Sequence, residues 1–250
     1  EKCEDVGVDF LSTPFDRIAV DFLEELGVEF YKIASFELVD IPLIEYVASK
    51  RKPVIMSCGM GSEEEIREAV EACKRQGNDN IVLLKCCSQY PAQYEDMNLL
   101  TIPKMKEDFQ TYVGLSDHSM GSLAPIVAVG LGAKVIEKHV CLSREIENPD
   151  AKFSMEMEEF AQMVRDVKNA TLVMGKPTYE LMEHEKRGLR TRRSLVAVKD
   201  IREGEIFSPE NVRSIRPAIG LKPKYYQQLI GKKAKKAYKF GEPISEIELR

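Results

Sequence analysis

Two of the chain's three histidines stand at the ends of short apolar runs. One run is Tyr112-Val-Gly-Leu-Ser-Asp-His-Ser119 and the other is Val135-Ile-Glu-Lys-His-Val-Cys141. Alternate residues of an extended strand share a face, so Ser116 goes with His118, and Glu137 with His139. If the runs are neighbouring parallel strands, both imidazoles reach the same C-terminal edge, where α/β proteins carry their sites. Two neutral imidazoles, completed by water and substrate oxygens, suit Mn²⁺, Mg²⁺, Co²⁺ or Fe²⁺ better than structural zinc. His118 and His139 are therefore candidate ligands of a divalent metal.

The elements that must position them follow from periodicity. Strand-like runs occur at Val8–Thr13, Glu29–Ser35, Pro53–Cys58, Ile81–Cys87, Tyr112–Asp117 and Val135–Cys141. Between them lie runs with helical spacing, including Phe15–Gly27, Leu43–Lys50, Ser62–Gln76 and Ser122–Leu131. Ser62 with Glu65 forms a capping box, and Gly27, Gly77 and Gly132 stand where left-handed caps are expected. Alternation of strand and helix means a parallel sheet. Six strands could make an open doubly wound sheet, whereas a closed barrel needs eight. Nearly every run ends in a polar residue, and a full ring of such ends favours the barrel. Two strands would then lie upstream. Glu1–Val6 reads as the tail of a helix already under way.

After the last run comes a loop with a Pro149-Asp150 turn, then a helix from about Met155 to Met174 with Ser154 as its N-cap. Its stripe of Met157, Phe160, Met163, Val164, Val167 and Ala170 reads as core filler. Tyr179–Arg193 is charged and reads as a linker. From Ser194 the texture changes to short strands and turns, at Ser194–Lys199, Val212–Ile215 and Pro217–Leu221. The expected organisation is a catalytic domain over 1–176, a linker over 177–193 and a small domain over 194–250.

Composition narrows the function. The 250 residues are 44% hydrophobic, enough for a sizeable core, and the net charge of −5 is the wrong sign for a phosphate-backbone partner. The run Lys232-Lys-Ala-Lys-Lys236 reads as a solvated face. The six cysteines show no C-x-x-C spacing, so reduced thiols in a cytoplasmic protein are expected rather than zinc or disulfides. No apolar run is long enough to cross a bilayer.

The motifs resemble the sialic acid synthase family, whose members condense phosphoenolpyruvate with an amino-sugar aldehyde. The matching pieces include Ser12-Thr-Pro-Phe15, Tyr31-Lys-Ile-Ala-Ser35, Met56-Ser-Cys-Gly-Met60, Leu84-Lys-Cys-Cys-Ser-Gln-Tyr-Pro91, Gly114-Leu-Ser-Asp-His-Ser119, Glu137-Lys-His139, Arg193-Ser-Leu195 and Ile215-Arg-Pro-Ala-Ile-Gly-Leu221. They keep the family's order over essentially the whole chain. Asn148-Pro-Asp-Ala-Lys-Phe-Ser-Met155 is closer to the branch that makes pseudaminic acid, because Ala151 stands where sialic acid synthases carry His.

The resemblance implies a (β/α)8 TIM barrel, here lacking its first two βα units, followed by a small antifreeze-like (SAF) domain. The Glu, Lys and Gln that those units contribute would be missing, so this chain alone is expected to be inactive. Lys32, Ser35, Ser57 and Ser116 would bind phosphoenolpyruvate, because a dianion plus a carboxylate needs a cation and several donors, and Tyr90 would be a further substrate contact. Gln89 departs from the family's Asn. Glu37 would transfer a proton, Glu137 would orient His139 or a water, and Asp150 would bind the sugar. Arg216 would reach the barrel of a second subunit in a domain-swapped homodimer. His118 and His139 would hold the metal, Mn²⁺, Mg²⁺ or Co²⁺. Two other readings are N-acetylneuraminate synthesis from N-acetylmannosamine and a non-catalytic carbohydrate- or partner-binding scaffold. Metal binding through the two histidines separates an enzyme from a scaffold.

Overall fold

A computed structural model of the chain describes residues 2–249. The chain divides into two compact units, Glu1–Lys176 and Pro177–Arg250. The first unit is built on a five-stranded parallel sheet of β1 (Tyr31–Ile33), β2 (Val54–Ser57), β3 (Ile81–Cys86), β4 (Tyr112–Asp117) and β5 (Val135–Lys138). The strands lie side by side in chain order. An open doubly wound sheet starts in its middle and reverses direction. This sheet has no reversal, as expected for a sheet that curls in one sense.

Helices follow the strands: α3 (Ile41–Ser49), α4 (Glu63–Arg75), α5 (Thr101–Phe109) and α6 (Leu123–Gly130). They are preceded by α1 (Lys2–Val6) and α2 (Arg17–Glu25). The strand faces turned to these helices carry Tyr31, Ile33, Val54, Met56, Ile81, Leu83, Val113 and Leu115, which share one core with Ile44, Val47, Ala69, Val70, Ile102 and Ala128. Burying each of the larger side chains contributes about 1.5–3 kcal/mol, which makes the register costly to slip. The capping box of α4 is formed as expected: Glu65 N–H donates to the Ser62 hydroxyl, and the Glu65 carboxylate accepts Ser62 N–H. Gly27, Gly77 and Gly132 have φ of 74°, 72° and 102°. All six cysteines are free thiols.

Three expectations are corrected. Val8–Thr13 is not a strand, because among the described residues β1 pairs only with β2 and offers this segment no hydrogen-bonded ladder. Val135–Cys141 is not continuous: β5 ends at Lys138, and β6 (Val140–Cys141) pairs instead with β7 (Met155–Glu156). The ladder with β4 stops at the Asp117–Lys138 pair, which frees the chain to turn at His139. Ser154 does not cap the long helix α7 (Met157–Met174). Its hydroxyl donates to the Asp150 carbonyl, and Glu156 caps the helix with Glu159.

The second unit has its own core, with Leu195, Phe207, Val212, Leu221, Tyr238 and Ile244 all fully buried. Its strands β8 (Ser194–Ala197) and β9 (Val212–Ile215) are antiparallel. The charged stretch read as a linker carries a short helix, α8 (Glu183–Gly188), and the Arg190 carbonyl accepts the Ala218 N–H. The lysines of the Lys232–Lys236 run are exposed.

Candidate active site

The sheet face opposite the helices opens at its C-terminal edge into a cavity of about 250 Å³. Lys32 from β1, Ser57 from β2, Cys86 from β3, Ser116 from β4 and Glu137 from β5 line it, with Ser35, Tyr90, His118 and His139 from the loops that follow. Strand alternation puts Ser57, Ser116 and Glu137 here while their neighbours fill the helix-side core. The close approach of β4 and β5 requires Gly114. A Cβ there would meet the Val135 carbonyl oxygen at 2.4 Å and a Leu84 methyl at 2.6 Å.

Lys32 is 6% exposed. Its ammonium donates to the Ser57 hydroxyl at 2.9 Å and the Ile33 carbonyl at 3.1 Å, and lies 3.6 Å from Glu137 Oε2. The other oxygen of Glu137 accepts the Ser116 hydroxyl at 2.6 Å. Cation, carboxylate and two hydroxyls thus form one chain across four strands, although Glu137 and Lys32 come from opposite edges of the sheet. Ser35 accepts the N–H of Gly59 at 3.0 Å.

The histidine rings lie 5.3 Å apart, centroid to centroid, with Tyr90 4.2 Å from His118. The Cys87 carbonyl lies 2.9 Å from His118 Nδ1 and can only accept, so Nδ1 carries the proton and Nε2 offers its lone pair. Burial pulls the His118 pKa down, but contacts with Cys86 and the Cys87 carbonyl outweigh it and the net shift is upward. Burial pulls His139 down, and the neighbouring His118 adds to that. Burial pushes the Cys86 thiol up, yet hydrogen bonding with His118 and Ser35 overrides it and holds the group at about 7. Among the described residues no three His, Cys, Asp or Glu side chains cluster as metal donors. Two imidazoles at the wall of an open cavity fit an ion that takes its remaining ligands from solvent or substrate.

Of the remaining candidates, Asp150 lies beside the cavity, with Oδ2 3.7 Å from His139 Nδ1. Glu37 stands on a 3-10 turn, Ser35–Glu37, outside the lining. Its Oε2 is buried without a hydrogen-bond partner. Arg216 is exposed in the second unit, just past β9. Sequence reasoning overlooked Cys86 and Phe153 as site residues. Alternation from Leu84 along β3 signals Cys86. Phe153, 5.0 Å from the His139 ring and 5.4 Å from Tyr90, has no such signal because a loop folds it back.

Residues 1–179 match the NeuB family, and residues 192–250 match the SAF domain. A pseudaminic acid synthase of Campylobacter jejuni is 45% identical over 250 residues, covering 100% of this chain and 73% of that protein. A pseudaminic acid synthase of Helicobacter pylori is 43% identical, covering 98% of this chain and 72% of that protein. The crystal structure of the Bacillus subtilis spore coat polysaccharide biosynthesis protein spsE superposes with a TM-score of 0.67 at 29% identity, over 99% of this chain and 75% of that one.

Proposed function

Because the chain belongs to the NeuB family and carries a SAF domain, we propose that it serves a phosphoenolpyruvate-dependent nonulosonic acid synthase. The substrate pair is phosphoenolpyruvate and 2,4-diacetamido-2,4,6-trideoxy-altrose, and the products are pseudaminic acid and phosphate. The sugar assignment draws on the likeness to the pseudaminic acid synthases. One observation carries the chemistry: a single cavity joins a buried lysine, three serines and two histidines at the sheet's C-terminal edge. The chain-order parallel sheet is read as part of a (β/α)8 barrel.

Lys32 holds the dianionic end of phosphoenolpyruvate, with the hydroxyls of Ser35, Ser57 and Ser116 as neutral donors and Tyr90 at the rim. Lys32 rests on Ser57, the Ile33 carbonyl and Glu137, which hold its charge at the cavity wall. Carbon 3 of phosphoenolpyruvate attacks the sugar aldehyde, forming the new carbon–carbon bond. Water adds to the cationic carbon 2, and phosphate leaves with cleavage of the C–O bond. Glu37, on the turn that carries Ser35, is the carboxylate assigned to accept or return the proton of that water. Glu137 orients the water or the His139 ring through its tie to Ser116. Asp150, beside His139, and Arg216, contributed by the SAF domain of a second subunit, hold the sugar hydroxyls.

His118 and His139 would hold a divalent ion, Mn²⁺ or Mg²⁺, with Co²⁺ as a further candidate, and that ion would polarise the sugar aldehyde. Phosphate release is measured with phosphoenolpyruvate and each of three acceptors: the altrose derivative, the corresponding mannose derivative and N-acetylmannosamine. Release with the first acceptor above the other two is expected. No release with any acceptor in the full-length protein supplied with Mn²⁺ would sink the synthase reading.

A further inference from the structure

The other face of β4 and β5 carries a pair of charges that the reaction does not use. Asp117 and Lys138 are register partners, and their side chains meet at 2.6 Å with exposures of 0% and 1%. No other ion pair among the described residues is this deeply buried at both partners. Lys138 also donates to the Ser119 carbonyl, and Asp117 Oδ1 accepts the Ser119 N–H at 2.9 Å.

Stability alone does not account for such a pair. Desolvating two charges offsets most of their attraction, and well-packed apolar side chains often serve the fold as well or better. Position is what distinguishes this pair. The backbone ladder between β4 and β5 ends at Asp117 and Lys138, and each histidine is the next residue. Beyond that point no ladder hydrogen bond among the described residues links the two segments that carry the rings. Lys138 supplies the link: it binds residues on both sides of His118 and immediately precedes His139. Apolar contacts would hold the sheet together without fixing direction, whereas these bonds are directional.

We propose that the Asp117–Lys138 pair is a positioning device that fixes the separation of His118 and His139, and with it the affinity for the divalent ion. This rests on the metal reading above. The test is the double substitution Asp117→Leu with Lys138→Met in the full chain, which removes both charges and strands neither. Two quantities are measured beside the unfolding midpoint: the Mn²⁺ dissociation constant, from the EPR signal of free Mn²⁺, and the nuclear Overhauser effect between the His118 and His139 ring protons in metal-free protein. With only three histidines in the chain, single His→Ala variants assign the signals.

A folded double variant is expected to bind Mn²⁺ about 10- to 100-fold more weakly, the usual consequence of losing a group that orients a metal ligand. Its ring-to-ring signal is expected to fall several-fold. Unchanged affinity and an unchanged ring signal would overturn the proposal. If the parent binds no Mn²⁺, the metal reading fails, and the ring signal alone decides the role of the pair. Should the double variant not fold, Lys138→Arg keeps the charge but alters the contact with Ser119, and carries the same readouts with the same two outcomes.

Discussion

Replacing Lys32 with Met separates anion binding from folding. The two side chains have similar length and volume, so Lys32→Met removes a charge without opening a cavity. The ammonium makes two hydrogen bonds, to Ser57 and the Ile33 carbonyl, and stands 3.6 Å from Glu137. Ser57 lines the cavity and can turn to water, and the Glu137 side chain is 40% exposed and keeps its bond to Ser116. The losses are therefore covered, and stability should change by no more than about 1 kcal/mol. For a domain of this size that is a shift of about 2–4 °C in the unfolding midpoint. Transition-state binding should suffer far more. A hydrogen bond to a charged group is worth about 1.5–3 kcal/mol, and each 1.4 kcal/mol is a factor of ten, so kcat/KM for phosphoenolpyruvate should fall about 10- to 150-fold. Initial rates of phosphate release by the full-length protein across a phosphoenolpyruvate series, with thermal melts on the same samples, measure both. A variant within threefold of the parent in kcat/KM would remove Lys32 from the anion site. A collapse of the melting point would show that its role is structural.

His118→Ala should abolish Mn²⁺ binding and turnover together; calorimetry that shows Mn²⁺ still bound would exclude the histidine pair as the metal site. Gly114→Ala should destabilise the first unit by about 1–3 kcal/mol, because its Cβ would force apart the Val135 carbonyl and Leu84, and denaturant titration reads the loss directly. Glu24 is partly buried, which favours its neutral form, but hydrogen bonds from Lys52 and Tyr31 prevail and hold its carboxyl below the ordinary 4.5. Its folded pKa is depressed, so its contribution is complete above pH 4.5 and disappears as pH falls through the folded value. The gap in melting temperature between the parent and Glu24→Gln should therefore be constant at pH 6 and close on acidification below 4.5. A gap that does not change with pH would show that the carboxylate form is not what stabilises the fold.

Much of the first unit was legible because local chemistry and burial point the same way. β4 begins and ends at the residues that the apolar run predicts, and the Ser62–Glu65 box starts α4 where it should. Val8–Thr13 was misread because alternation signals a strand only where another strand is there to pair with it. The break at His139 was invisible for a related reason: an unbroken apolar pattern does not reveal where a neighbouring strand stops. Thr101–Phe109 forms a helix that none of the quoted periodic runs included, and its Ile102, Met105 and Phe109 are all buried.

What the sequence determined by itself was the set of groups and the edge at which they gather. Residue type fixes which atoms can donate, accept or coordinate, and the period of two fixes which of them share a strand face. The tertiary structure decided their partners. Lys32 meets Glu137 although the two are separated by over a hundred residues and lie on opposite edges of the sheet. The loop after β6 folds Phe153 and Asp150 against His139. Asp117 and Lys138 look like ordinary polar residues beside two histidines, and only the register of β4 with β5 makes them a buried pair. Such contacts depend on how strands curl and where ladders end, properties of the assembled sheet that no single segment carries.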